Sequence, residues 1–130
     1  MFLNTLNQEE KRKFLSLVYL ISQIDGEYAD EEKEIVENYK IELGTNEVDG
    51  DANIYDLIEF FASKNIQVKK VVIFEVYGLI ISDEKIHKNE EKILNEIKNK
   101  FGLDVDTIKA IKGVVDELHN VYQKIFEVLV

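Results

Sequence analysis

One stretch of this chain occurs twice, 58 positions apart, and that repetition restricts the fold more than any other property of the sequence. Ile24 to Gly44 reads IDGEYADEEKEIVENYKIELG, and Ser82 to Gly102 reads SDEKIHKNEEKILNEIKNKFG. Aligned without gaps, Tyr28 matches Ile86, Ile35 matches Ile93, Val36 matches Leu94, Tyr39 matches Ile97, Leu43 matches Phe101 and Gly44 matches Gly102. These apolar and glycine positions are what a repeated helix–turn–helix needs. Two further pairs, Asp25 with Asp83 and Glu32 with Glu90, are not demanded by packing. They are the candidate functional residues.

The surrounding periodicity extends each copy backwards into a helix. Phe14, Leu17, Val18, Ile21 and Ile24 form one apolar stripe, which predicts a first helix from about Gln8 to Asp25, capped by Asn7. Glu9 and Glu10 suit the positive end of its dipole. A second helix follows over 30–43, with Gly44 as its C-terminal stop. Asn53 to Ser63 carries Ile54, Leu57, Ile58 and Phe61 at helical spacing. Ile66 to Ser82 contains VVIFEVYGLII, apolar nearly all round, which marks a helix buried among others. A fifth helix over 88–101 repeats the second. In the last segment, Ile108, Ile111, Val115, Leu118, Tyr122, Ile125 and Leu129 alternate steps of three and four, flanked by Val114, Val121 and Val128. That segment is one long helix or two hinged at Gly113. Its spacing fits core packing and also a coiled-coil seam. The expected fold is all-α: a compact bundle of six or seven helices in a single domain, residues 1–130. Repeat copies cover about 8–44 and 66–102, and a closing helix covers about 104–130. Two such hairpins can pack about a pseudo-twofold axis that brings the Asp turns together.

Composition narrows the functional classes. The chain has no proline and no cysteine, so disulfides, thiolate catalysis and Cys-based metal centres are excluded. Its formal net charge of −10 opposes nucleic-acid binding, which needs a basic footprint. Acidic excess concentrates before position 66, where a basic partner or cations would be attracted. The start, MFLNTLNQEEKRK, lacks the basic-then-apolar order of a signal peptide. The most apolar run, Val71 to Ile81, is too short for a span and holds Glu75. A soluble cytoplasmic protein with no transmembrane segment is expected. Lys69, Lys70, Lys85, Lys88 and Lys92 form a modest basic zone that could face an acidic partner or an anionic membrane surface. No GxSxG, phosphate-cradling glycine loop or HExxH occurs, so no enzymatic activity is expected.

Two explanations stand for the acidic quartet. An aspartate at a helix C-terminus opposes the dipole, so two at matched positions need compensation. The side chains can cap the next helix by accepting from its free N–H groups. Alternatively, Asp25, Glu32, Asp83 and Glu90 together bind a divalent cation. Four carboxylates suit calcium, magnesium or manganese rather than zinc. The segment with Asp49, Asp51 and Asn53 opens like an EF-hand loop, but Ile54 stands where glycine is required and Phe60 where glutamate is required. It reads as a polar turn. His87 reads as an exposed turn residue, and His119 as lying on the polar side of the last helix.

DGEYADEEKEIVENYKIELG, preceded by an apolar helix and echoed by SDEKIHKNEEKILNEIKNKFGLD, resembles the tellurite-resistance TerB-like domain. The resemblance is best from about Phe14 to Asp104. It departs at Asp83-Glu84, where Asp-Gly is usual, and at Ala29 and His87, where the family often has a capping Ser or Thr. The resemblance implies a cytoplasmic all-helical bundle with internal pseudo-symmetry, related to stress response. It also implies a metal site at Asp25, Glu32, Asp83 and Glu90. The expected function is a binding or adaptor module for a protein partner, as a monomer or weak dimer. The alternatives are a ligand-free structural interaction module and a small acidic immunity or antitoxin protein.

Overall fold

Three helices of this chain begin where an asparagine caps them. The computed structural model describes residues 2–24, 30–81 and 88–130. Among them run α1 (Gln8–Ser22), α2 (Asp30–Leu43), α3 (Ile54–Ala62), α4 (Ile66–Ile80), α5 (Lys88–Phe101) and α6 (Val105–Leu129), and no strand is present. The all-α expectation is met. Asn7, Asn53 and Asn65 each place a side-chain oxygen on the free backbone N–H groups that open α1, α3 and α4. Asn7 does so within a full capping box. It accepts from Glu10 N–H at 2.8 Å, and its own N–H donates to Glu10 Oε1 at 2.9 Å. Asp104 caps α6, its side chain accepting from Thr107 N–H at 2.7 Å.

The 58-residue spacing recurs in the helix bounds. Adding 58 to Gln8 and Ser22 gives the ends of α4, and adding 58 to Asp30 and Leu43 gives the ends of α5. Asn7 and Asn65 keep the same interval, as do Gly44 and Gly102, the two glycines with positive φ (67° and 64°). That left-handed turn strains any residue with a Cβ, which is why glycine ends both helices.

α4 packs against α1, α3, α5 and α6, and α1 packs against α2, α3 and α4. Contact with four helices explains why α4 is apolar nearly all round. Phe14, Leu17, Val18 and Ile21 of α1 meet a core that includes Val72, Val76 and Leu79 of α4, Val36 of α2, Phe61 of α3 and Ile97 of α5. Each fully buried Leu, Ile or Phe contributes about 1.5–3 kcal/mol of transfer free energy. The N-terminal residues join this core. Leu3–Thr5 form one 3-10 turn that packs on α2, and Leu3 and Leu6 are buried.

Two helix ends differ from the sequence expectation. α1 stops at Ser22 and α4 at Ile80, each three residues before the matched aspartate. Tight bonds close both ends: Gln23 N–H reaches Leu20 and Ile21 carbonyls, and Ile81 N–H reaches Tyr77 and Leu79 carbonyls. The period of apolar residues continues through Ile24 and Ile81, so the pattern alone overruns the hydrogen bonding. The last segment is one uninterrupted helix, about 37 Å long for its 25 residues. Gly113 lies inside it with open space around its α-carbon, and no hinge forms there.

Candidate functional site

α2 and α5 place Glu32 and Glu90 at the third residue of each helix, the position where a glutamate can reach back to the N-cap backbone. Both are almost completely buried, at 3% and 2% exposure. Burying a carboxylate is costly unless hydrogen bonds or opposite charge accompany it, and both residues do have partners. Glu10, also at a third helical position and also buried, shows the local solution: its carboxylate closes the capping box of α1. Lys64 Nζ lies 3.8 Å from its other oxygen. The sequence marks Glu32 and Glu90 as a matched pair. Their burial becomes visible only once α2 and α5 are packed.

Asp25 and Asp83, the other half of the expected quartet, lie outside the described residues, as does His87. Among the described residues no group of three or more His, Asp or Glu side chains is arranged to hold a metal ion. The donor chemistry of the four carboxylates fits a hard divalent cation, and Glu32 and Glu90 are the two members the structure places.

The polar loop before α3 has its groups committed to the fold. Asp49 N–H donates to Ser16 Oγ on α1 at 3.0 Å, and Asp51 N–H donates to Asp49 Oδ1 at 3.1 Å. Asn53 Oδ1 accepts from Tyr55 and Asp56 N–H at 2.8 and 3.3 Å. A cleft of about 510 Å³ lies between this loop and α1, lined by Glu9, Arg12, Lys13, Glu47 and Asp49 among others. Its charges partly answer one another, with Arg12 Nε 3.6 Å from Glu47 Oε2.

A second cavity has a different character. Ile35 and Tyr39 of α2, Gly78 and Leu79 of α4, Ile81, and Val115, Leu118, His119 and Tyr122 of α6 enclose an open apolar groove of about 320 Å³. Gly78 is one of its lining residues, and a Cβ added there would lie 4.0 Å from Val115 Cγ1, an ordinary contact. His119 is half-buried at this rim rather than on the polar side of α6, and its Nε2 lies 3.2 Å from Gln123 Nε2. Sequence periodicity gave no sign of the groove, since it exists only where three helices from distant parts of the chain meet.

Polar links cross the same region. Tyr39 Oη donates to Glu75 Oε2 at 2.8 Å within the core, and Tyr77 Oη donates to Asp116 Oδ1 at 3.2 Å between α4 and α6. Burial, then the Glu75 charge and hydrogen bond, hold the Tyr39 phenol well above its ordinary value of 10.0. Burial and then Asp116 raise Tyr77 in the same sense. On α5, Lys98 is pushed down to about 8 by burial first, and then by its neighbour Lys112. No helix among the described residues is long and apolar enough to cross a membrane. Comparison with protein-family models, with curated proteins and with solved structures finds no match to this chain.

Proposed function

We propose that this chain is a non-enzymatic, TerB-like binding or adaptor module whose apolar groove receives an apolar side chain of a protein partner. The observation that carries the reading is the groove itself. An apolar hollow left open between α2, α4 and α6 costs packing energy that a partner's side chain would recover. The absence of any nucleophile, phosphate-loop or metalloprotease motif supports a binding role over a catalytic one. The resemblance noted above suggests a cytoplasmic setting and a link to stress response.

A divalent cation belongs to this proposal as a second element. In it, Asp25, Glu32, Asp83 and Glu90 bind calcium, magnesium or manganese and lock the two hairpins together. The burial of Glu32 and Glu90 at the same position of two matching helices supports it. The capping box of Glu10 supports the competing account, a ligand-free interaction module in which these glutamates only close helices. An acidic immunity or antitoxin protein would use the excess of negative charge against a basic toxin.

Gly78→Leu tests the groove, because leucine favours a helix and its side chain would fill the hollow. A partner crosslinked in native cells to wild-type protein but not to folded Gly78→Leu supports the reading. Equal capture by both forms removes the groove from it. The cation is tested by calorimetric titration with calcium, magnesium and manganese, on wild type and on Asp25→Asn/Asp83→Asn. No heat and no thermal shift at millimolar metal leaves the caps as the whole role of the quartet.

A further inference from the structure

From Asn120 to Val130 every residue of the chain is exposed. This end of α6 is nonetheless rich in apolar side chains. Val114, Leu118, Val121, Ile125 and Val128 recur at steps of four, three, four and three, which is the spacing of a coiled-coil seam. Val114, Val121, Ile125 and Val128 are 54%, 48%, 45% and 82% exposed, and Leu118 is half-buried. This seam lies beside Val115, the buried residue of α6, and its four exposed members are left uncovered by the bundle.

We propose that the occupant of this seam is α6 of a second copy of this chain, running antiparallel. The charges beside the seam select that partner and direction. Glu117 and Lys124 each precede a seam residue and sit on the same edge, seven apart. In an antiparallel pair that edge meets its own copy. A register that sets Leu118 against Val121 and Val114 against Ile125 also brings Glu117 of each copy beside Lys124 of the other. The twofold then generates two opposite-charge contacts. A parallel pair would set this edge against the row of Val115, Tyr122 and Leu129 and leave both charges unanswered. The sum of the seam is modest. Five apolar side chains per copy fall short of the roughly 800 Å² per partner of a standard interface, so the dimer is of the weak, reversible class. The long-range repulsion between two bodies of net charge −10 points the same way. The pairing shares only Leu118 with the groove and does not rest on the groove's role.

Sedimentation equilibrium from about 5 µM to about 1 mM tests the proposal across the range expected for a weak interface. The wild type is expected to pass from monomer to dimer. Val121→Asp is expected to stay monomeric, with unchanged helical content because the site is exposed. Glu117→Lys and Lys124→Glu should each weaken the dimer about tenfold, by setting like charges side by side. The double swap Glu117→Lys/Lys124→Glu should restore it. A wild type that remains monomeric throughout overturns the proposal and leaves the seam to a partner of another sequence. A dimer that survives Val121→Asp overturns the interface. A dimer indifferent to the single charge changes overturns the antiparallel register.

Discussion

Tyr39 Oη donates a 2.8 Å hydrogen bond to Glu75 Oε2, joining α2 to α4 inside the core. The Tyr39 ring is also held edge-on against Phe14, with centroids 5.3 Å apart and planes at 87°. The pair breaks the internal duplication in a coordinated way. Fifty-eight positions from Tyr39 stands Ile97, and fifty-eight before Glu75 stands Leu17, so the other copy has an apolar residue at both places. Leu17 and Ile97 are each fully buried. A lone buried carboxylate would be costly, and so would a lone buried phenol. The two polar residues are explicable together.

Removing one partner should therefore cost more than removing both. Tyr39→Phe takes the phenol donor from a buried carboxylate and is expected to cost about 1–3 kcal/mol. Glu75→Met removes the phenol's 2.8 Å acceptor and leaves it only the backbone carbonyl of residue 75, at 3.4 Å, so it should cost a similar amount or somewhat less. Tyr39→Phe/Glu75→Met replaces both with apolar groups of like size, and should fall within about 1 kcal/mol of wild type. Urea unfolding of the four forms measures the coupling. Additive single costs would show that the hydrogen bond contributes nothing of its own.

The same bond shapes the response to alkali. The folded-state value of Tyr39 is raised above 10.0 by burial and by Glu75. Below about pH 9 the phenol is neutral in both states, and stability does not depend on it. Above about pH 10 the unfolded chain releases this proton first, so folding weakens by up to about 1.4 kcal/mol per pH unit until the folded value is reached. Tyr39→Phe should flatten that part of the profile. Equal alkaline slopes for wild type and Tyr39→Phe would contradict the assignment.

Much of this architecture is legible in the chain because local rules agree with the tertiary ones. Asn7 is a cap by residue type, and Asn65, 58 positions on, is the same cap found only in the structure. Gly44 and Gly102 are stops, and the 58-residue interval carries all of these together. Leu3 and Leu6 were not legible, because a three-residue 3-10 turn has no periodicity to detect. The ends of α1 and α4 were overrun because Ile24 and Ile81 prolong the apolar pattern after the regular hydrogen bonds have ceased. Of the candidate quartet, sequence matching identifies Glu32 and Glu90 as a pair but says nothing of their burial. The groove and the Tyr39–Glu75 bond join residues tens of positions apart, and nothing local encodes such a meeting.

Three glycines should respond in opposite senses to one substitution. Gly44 and Gly102 hold φ of 67° and 64°, with nothing within 4 Å of an added Cβ. Alanine there meets no neighbour and suffers only backbone strain, so Gly44→Ala and Gly102→Ala should each cost about 1–2 kcal/mol. Gly113 is likewise unobstructed but lies inside α6. Gly113→Ala should stabilise by up to about 1 kcal/mol, because alanine loses less entropy in a helix. Thermal melts of the three variants give the comparison. A destabilised Gly113→Ala would mean that α6 bends at that point in solution.

Lys98 is a place where the fold carries an unrelieved cost. Its amine is pushed down to about 8 by partial burial and by the adjacent Lys112, against an ordinary value of 10.5. Below pH 8 both folded and unfolded chains hold the proton, and the folded state bears the repulsion in full. Between about pH 8 and 10.5 the unfolded chain binds more protons at this residue. Stability should therefore rise with pH across that window. Lys98→Gln removes the charge, so it should stabilise the protein at pH 7 and abolish the rise. Lys98 keeps partial access to solvent, so the gain should shrink as salt is raised from 20 to about 500 mM, where the screening length falls below roughly 5 Å. Chemical unfolding of wild type and Lys98→Gln at pH 7, 8 and 9.5, at both salt levels, measures all three effects. A variant less stable than wild type at pH 7 would show that the aliphatic stem of Lys98 contributes more through packing than its charge costs against Lys112.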